Sequence, residues 1–489
     1  MSHRLLRASL ALALSLGLSA CASNGGITVA VIAPDGGDPF LGDDAATRAR
    51  IILENDASTT VVADVGVGGA FQIDIRPQDS EYSRLRVEAL RGNDIIATGS
   101  TPPAYWSALQ RHVIPVLMQY RDSVTPGPGV WAGGHADFEL LEITPRYIGI
   151  FTAVAGSETP FHPEVYDLLL HARVAPGEAP QLLDGQFDGD STVAIVALSG
   201  GSAFPYVFRG AVFTSWAGDG SVDAGAPIYP IPSSRTGAGI TRSTAVRDVS
   251  TGGGWLVGGR DASGPVRRVD RIDSPFAVTE ATPLLVARVR PQIIQIFAAT
   301  TGSPQPVWLV AGGNLAGTPF LETYSPDGRT NHTLDLLDHE RSDASVVCIA
   351  VDGQGCTRML VVGGRVGTAL APDSLALDAT AIRQSTTPIV SATGPGLVHP
   401  RSGARAAFAE GGAVVIAGGD DDAGPVTVVE MIDVTAVTGT QPPPVGRVVD
   451  STTTCAHPAI LAVSNGSVMI TGGTHSDGSA CTGISFFRH

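Results

Sequence analysis

The sequence predicts an all-β protein: a β-propeller of seven blades, with six as the alternative count, preceded by a small β-sandwich. Three observations predict it. Glycine (59) and proline (34) are abundant while charged residues make up only 16%, a composition of short strands and tight turns, and no run longer than about 15 residues has helical periodicity. Apolar runs ending in a glycine pair recur along the chain. Weaker strand signals flank several of those runs at near-fixed offsets.

The first element is an address. Residues 1–20 pair two arginines with an apolar segment, Leu10 to Leu18, which reads as a signal peptide too short to span a bilayer. Leu18-Ser19-Ala20-Cys21 resembles the bacterial lipobox, which implies acylation of Cys21 and a tether over 21–26. Acyl chains contribute about 0.8 kcal/mol per buried CH₂, so a multiply acylated cysteine anchors stably. Ala22 stands where an aspartate would favour inner-membrane retention, so the resemblance points to the outer membrane, facing either the periplasm or the surface.

Residues 27–106 lack the glycine-pair period. They carry separated strand candidates, "ITVAVIA", "RARIILEN", "AFQIDIR", "SRLRVEAL" and "DIIATG". Alternation in two of these, with turn residues between, predicts strands with one covered face. The expected module is an immunoglobulin-like or prealbumin-like sandwich acting as a spacer. Residues 107–132 read as a linker.

The propeller is expected over 133–489. Its second strands are read as "VAIVALSGG", "WLVGG", "WLVAGG", "MLVVGG", "VVIAGG" and "VMITGG", with "IFTAVAGS" a degenerate seventh. The structural glycines are Gly200, Gly201, Gly258, Gly259, Gly312, Gly313, Gly363, Gly364, Gly418, Gly419, Gly472 and Gly473. Successive anchors lie 45 to 58 residues apart, one four-stranded blade each. Apolar runs without alternation suit strands covered on both faces, and a ring covers every blade that way. The last repeat ends one strand short. "HVIPVLMQY", 112–120, is the expected donor, pairing beside Ile484 to Phe487.

This pattern resembles the kelch repeat, a hydrophobic strand ending in Gly-Gly with an aromatic residue roughly a dozen positions later. "PEVYD" and "LETYSP" supply Tyr166 and Tyr324; "RVDRID" and "VVEMID" put Ile272 and Ile432 in that place. The tryptophan usual in kelch repeats is missing. The resemblance implies a galactose-oxidase-like, divergent bacterial kelch propeller.

Charge and cysteine usage narrow the function. A net charge of −16 repels nucleic acid and anionic lipid; all 31 basic residues are arginine, which fits a GC-rich coding bias. Cys348 with Cys356, across an Asp-Gly turn, and Cys455 with Cys481, within one repeat, read as disulfides of an exported protein. No C-x-x-C, P-loop, Rossmann, G-x-S-x-G or H-E-x-x-H motif occurs.

Six residues fall near the starts of inner strands and are the channel-facing candidates: His135, His399, His457, Arg242, Arg401 and Arg405. Structural roles are expected for them, since kelch blades often carry a packing histidine there; a shared axial metal and a carboxylate-binding site are the alternatives. No cofactor is expected; calcium at "GGDDDAG" or "FDGDS" is the exception considered. The kelch resemblance includes copper-radical oxidases, which need a cysteine cross-linked to tyrosine, and sialic acid mutarotases. The leading expectation is a non-catalytic envelope lipoprotein whose propeller loops bind a protein or glycan; a periplasmic mutarotase or epimerase is the rival.

Overall fold

In the computed structural model the described residues begin at 27. Outside them lie 1–26, 35–36, 56–57, 67–70, 74–81, 106–112, 131–136, 143–144, 154–163, 175–191, 198–202, 210–211, 216–228, 231–239, 241–242, 248–253, 274–276, 298–305, 316, 335, 337–339, 354, 384–389, 435–445 and 451–454. Cys21, Gly200, Gly201, His135 and Arg242 therefore fall outside. The regular secondary structure of the described residues is almost all strand, with one five-residue helix, Ala379–Arg383. No described helix is long and apolar enough to cross a membrane.

Seven four-stranded antiparallel sheets form the larger part. Their first strands are Asp137–Glu142, Thr192–Ala197, Thr244–Arg247, Gln292–Phe297, Ser345–Asp352, Arg405–Ala409 and Ala459–Ala462. Each lies beside the first strand of the next sheet, and the seventh beside the first. The sheets are thus the blades of a closed ring, a seven-bladed propeller.

Blade 6 explains the unbroken apolar runs. Its second strand, Ala413–Ala417, is buried at every residue. Val414 and Ile416 pack toward blade 5, against Val347, Leu360 and Val362. Ala413, Val415 and Ala417 turn the other way, into the cluster of Val468, Ile470 and Phe487 from blade 7. Alternate side chains face alternate neighbours, so both sets are apolar.

Two expectations are corrected. The ring is closed by chain preceding blade 1, but the closing strand is Ser123–Val130, not 112–120. Ser123 pairs with Arg488, Val124 with Phe487 and Thr125 with Phe486. This is the segment read as a Pro/Gly linker. As the outer edge of its blade it needs no second hydrogen-bonded neighbour, so Pro126 and Pro128 are tolerated. At Gly127 a side chain would strike the Phe486 ring, 2.6 Å from an added Cβ. The second correction is in blade 2, where "VAIVALSGG" supplies the first strand; Ala203–Arg209 is the second. Gly200 and Gly201 therefore stand between strands one and two, which accounts for the short first interval and the long second one.

Val113–Leu117 instead runs parallel to Ile27–Ile32 in a three-stranded sheet completed by Phe71–Ile73. This sheet covers a larger one, ordered Thr59–Gly66, Arg48–Glu54, Tyr82–Arg91, Asp94–Ser100 and Gln119–Tyr120. Val29, Ile51, Leu85, Val87, Ile114 and Val116 fill the space between them. These sheets form the expected sandwich, extended by residues assigned to the linker.

The sandwich packs directly on the ring. It meets blades 6, 7 and 1 at the end where first and second strands are joined, hereafter the hairpin face. Leu117 and Ile32 enter a cluster with Ile148, Ile484 and Phe486, and Leu169 of blade 1 joins the sandwich core. Arg84 bridges Glu54 at 2.6 Å and Glu410 of blade 6 at 2.5 Å. Arg488, buried in blade 7, donates to Ser100 Oγ at 2.6 Å; burial pulls its pKa down to about 10.

Candidate functional site

The opposite end of the ring carries the glycine pairs, the loops between second and third strands, and the connectors that lead each outer strand to the next blade's inner strand. We call it the diglycine face. In blade 6 both glycines adopt the left-handed region, Gly418 at φ 68° and Gly419 at φ 82°, where other residues are strained. A Cβ on Gly418 would lie 2.9 Å from Pro458 of the next blade; one on Gly419 would lie 2.6 Å from the carbonyl of Ser402, its own connector. Each glycine of the pair therefore makes room for a different backbone. The described pairs of blades 3, 4, 5 and 7 share the positive φ.

A buried arginine holds the corner beneath the pair in blades 4, 5 and 6. Arg401 is fully buried. Its Nη1 donates to the carbonyls of Gly418 at 3.2 Å and Val428 at 3.0 Å, its Nε donates to His399 O, and its Nη2 is paired with Glu430. Glu430 Oε1, which takes Arg401, also accepts the His399 amide at 3.0 Å, and Oε2 accepts the Val398 amide at 2.8 Å. Arg288 repeats this in blade 4, with Gly312 O, Phe320 O and Glu322. Arg341 does so in blade 5, with Gly363 O, Asp373 O and the Asp373 carboxylate at 2.7 Å. Burial lowers the pKa of all three guanidiniums while the acids oppose it. Arg401, a channel-facing candidate for which a structural role was expected, is thus buried with its donors committed inside its own blade.

Blade 7 has Cys455 at this repeat position, four residues before the first strand as Arg401 is in blade 6. Cys455 is joined to Cys481 just before the third strand, with S–S 2.11 Å. The Cys348–Cys356 disulfide also forms, clamping the first hairpin of blade 5. All four described cysteines are paired, so none of these is free to cross-link to tyrosine.

The remaining candidates are exposed. His457 has φ 51° and lies 3.4 Å from Asp420 of blade 6. Two residues after each corner residue, Arg290, Asp343, Gly403 and His457 all share that positive φ at the entry to an inner strand. Arg405 opens the inner strand of blade 6, and His399 sits on its connector; both side chains are exposed. The structure thus sets His399, Arg405 and His457 on the same face. The acidic turn is likewise divided: Asp420 faces His457, Asp421 caps Ala423 and Gly424, and Asp422 meets Arg365 of blade 5 at 3.1 Å. "FDGDS" lies outside the described residues.

The aromatic positions have a mechanical role. Tyr324 donates to Thr282 O at 2.7 Å, at the outer edge of the preceding blade, and Tyr166 reaches Pro128 O of the ring-closing strand at 3.4 Å. Trp255, Trp308 and Tyr324 form a buried aromatic run, so both tryptophans belong to the core.

Sequence reading missed Arg288, Arg341, Glu322, Glu430 and Asp373. A usable signal was present: arginine four residues before the first strand, with glutamate inside "LETY" and "VEMI".

No family model matches the chain, and no curated protein matches it. Among solved structures it is similar to a fungal alcohol oxidase of the AA5 family in complex with copper, at TM-score 0.48 and 12% identity, covering 73% of this chain and 77% of that one. It is also similar to YjhT, at TM-score 0.39 and 11% identity, covering 61% of this chain and 94% of that one. The closed ring of seven blades, rather than these likenesses, carries the fold assignment.

Proposed function

We propose that the protein is a binding module of the bacterial cell envelope, tethered through an acylated Cys21, that presents its diglycine face to a protein or glycan. One observation carries this reading: the two faces of the ring are treated differently. The sandwich occupies the hairpin face at blades 6, 7 and 1, which leaves the diglycine face for recognition. There the loops are fixed from below by Arg288, Arg341, Arg401 and the Cys455–Cys481 bridge, and a rigid loop loses less entropy on binding. Leu285, Leu315, Val366 and Val398 are exposed on those loops and connectors, among the charges of Arg290, Asp343 and Arg405. Exposed apolar residues set among charges suit a macromolecular partner.

The rival reading is a mutarotase or epimerase acting at the channel mouth. It is favoured by the recurrence of Arg290, Asp343 and His457 at one repeat position.

The test uses the mature, unacylated chain as bait for envelope fractions, with and without a calcium chelator, beside two variants. Val398→Asp alters the diglycine face; Val351→Asp alters the opposite hairpin tip of blade 5, where Val351 is 75% exposed. The expected result is one retained component, lost with Val398→Asp and kept with Val351→Asp. Equal retention by both variants, or no retention together with sugar anomer interconversion followed by NMR, overturns the binding reading.

A further inference from the structure

Among the described residues one group of metal-capable side chains converges. Cys455 Sγ, Cys481 Sγ and a ring nitrogen of His475 lie within 4.8 Å of one another. We propose that this corner of blade 7 is a redox-gated site for a thiophilic divalent cation, closed while the disulfide is formed and opened by its reduction.

The donor set suits such an ion. Two thiolates and an imidazole are three of the four ligands of a tetrahedral zinc site, with the fourth position open to water. Zinc–sulfur bonds of about 2.3 Å in a tetrahedron place the two sulfurs about 3.8 Å apart. The present separation is 2.11 Å with Cα atoms 6.1 Å apart, so side-chain rotation can supply the difference.

The backbone that carries the ligands is held by hydrogen bonds as well as by the disulfide. Ala456 and Thr474 exchange both amide hydrogen bonds, at 2.8 and 3.0 Å, and Cys481 N donates to Gly473 O at 3.0 Å. The His475 turn is closed by His475 N to Ser479 O at 2.7 Å and Gly478 N to His475 O at 2.9 Å, with Asp477 capping Ser479. Cys455 and His475 are half-buried and Cys481 is buried, which gives an ion an approach from the diglycine face and a shielded seat.

The opening step balances with a dithiol reductant. Its two sulfurs form a disulfide as the Cys455–Cys481 bond breaks, and two electrons and two protons pass to the cysteines. The cation then displaces those two protons when it takes both thiolates, while neutral His475 donates its lone pair. Cys348 and Cys356 have no third ligand beside them among the described residues, so that pair serves as the internal control.

The experiment reduces the whole mature chain with dithiothreitol, removes the reductant without air, and titrates zinc against a chelating dye; cobalt is titrated in parallel for its thiolate charge-transfer band. The expected result is one zinc per reduced chain and none per oxidised chain, with the cobalt band present. Affinity should fall more than about tenfold in His475→Ala and be kept in Cys348→Ser/Cys356→Ser. A folded reduced chain, checked by its denaturant midpoint, that takes no zinc overturns the proposal. So does zinc binding by His475→Ala that matches the parent.

Discussion

Blades 6 and 7 are neighbours built on one plan, yet they tie the same corner with different chemistry. In blade 6 the connector is held to the third strand by the Arg401–Glu430 pair, both side chains fully buried. In blade 7 the corresponding link is covalent, Cys455 to Cys481. Both ties join a connector to the entry of a third strand beneath a glycine pair. The repeat therefore demands a fixed corner rather than a particular residue. The two solutions differ in what breaks them: the ion pair answers to desolvation and loss of a partner, and the disulfide answers to reductant.

The largest expected effect comes from breaking the pair on one side. Arg401→Met leaves Glu430 buried without its cation and should cost about 3–5 kcal/mol in denaturant unfolding. Arg401→Met/Glu430→Leu removes both charges and should recover most of that loss. A double variant as unstable as the single one would show that the corner needs the charges themselves, which the blade 7 disulfide argues against.

Next in size is the covalent tie. Cys455→Ser/Cys481→Ser should lose about 2–4 kcal/mol, and reductant, which opens Cys348–Cys356 as well, should destabilise the parent by more than that while leaving the Arg401–Glu430 corner intact. Because Cys348–Cys356 spans 8 residues and Cys455–Cys481 spans 26, the longer loop should matter more by roughly 1 kcal/mol. Chemical denaturation of the two paired variants separates them.

The third prediction concerns the other end of blade 7, where its third strand meets the sandwich. His171 is buried against Phe486, accepts the Leu117 amide through Nε2 at 3.4 Å, and has no partner at Nδ1. Burial pulls its pKa down to about 4, opposed by Asp167. With the folded value below the unfolded one, the unfolded chain binds more protons between about pH 6.5 and 4. Stability is then lost as pH falls through that window, by up to about 3 kcal/mol. His171→Gln should flatten this acid limb in stability measured against pH. An unchanged limb would place the acid sensitivity in the carboxylates of the ring instead.

Much of this architecture was legible along the chain because it is local. The glycine pairs mark the ends of second strands in five blades, since the chain turns there through positive φ that other residues rarely adopt. Both disulfides were legible because their cysteines lie within one hairpin or one blade. Blade 2 misled because its glycine pair follows a first strand, and an apolar run ending in Gly-Gly does not say which side of a hairpin it occupies. Arg401 misled for a related reason: its place before an inner strand suggested the channel, while its partner Glu430 is 29 residues away.

By itself the sequence determined the all-β class, the repeat and its glycine pairs, and the pairing of four cysteines, because period, turn chemistry and short-range covalent reach are properties of neighbouring residues. Only the tertiary structure decided that Ser123–Val130 closes the ring, that the sandwich sits on the hairpin face, and that buried arginines and a disulfide share one corner. Those outcomes depend on which distant backbone edges and charges meet when the ring closes, and an edge strand that tolerates proline carries no local mark of its partner.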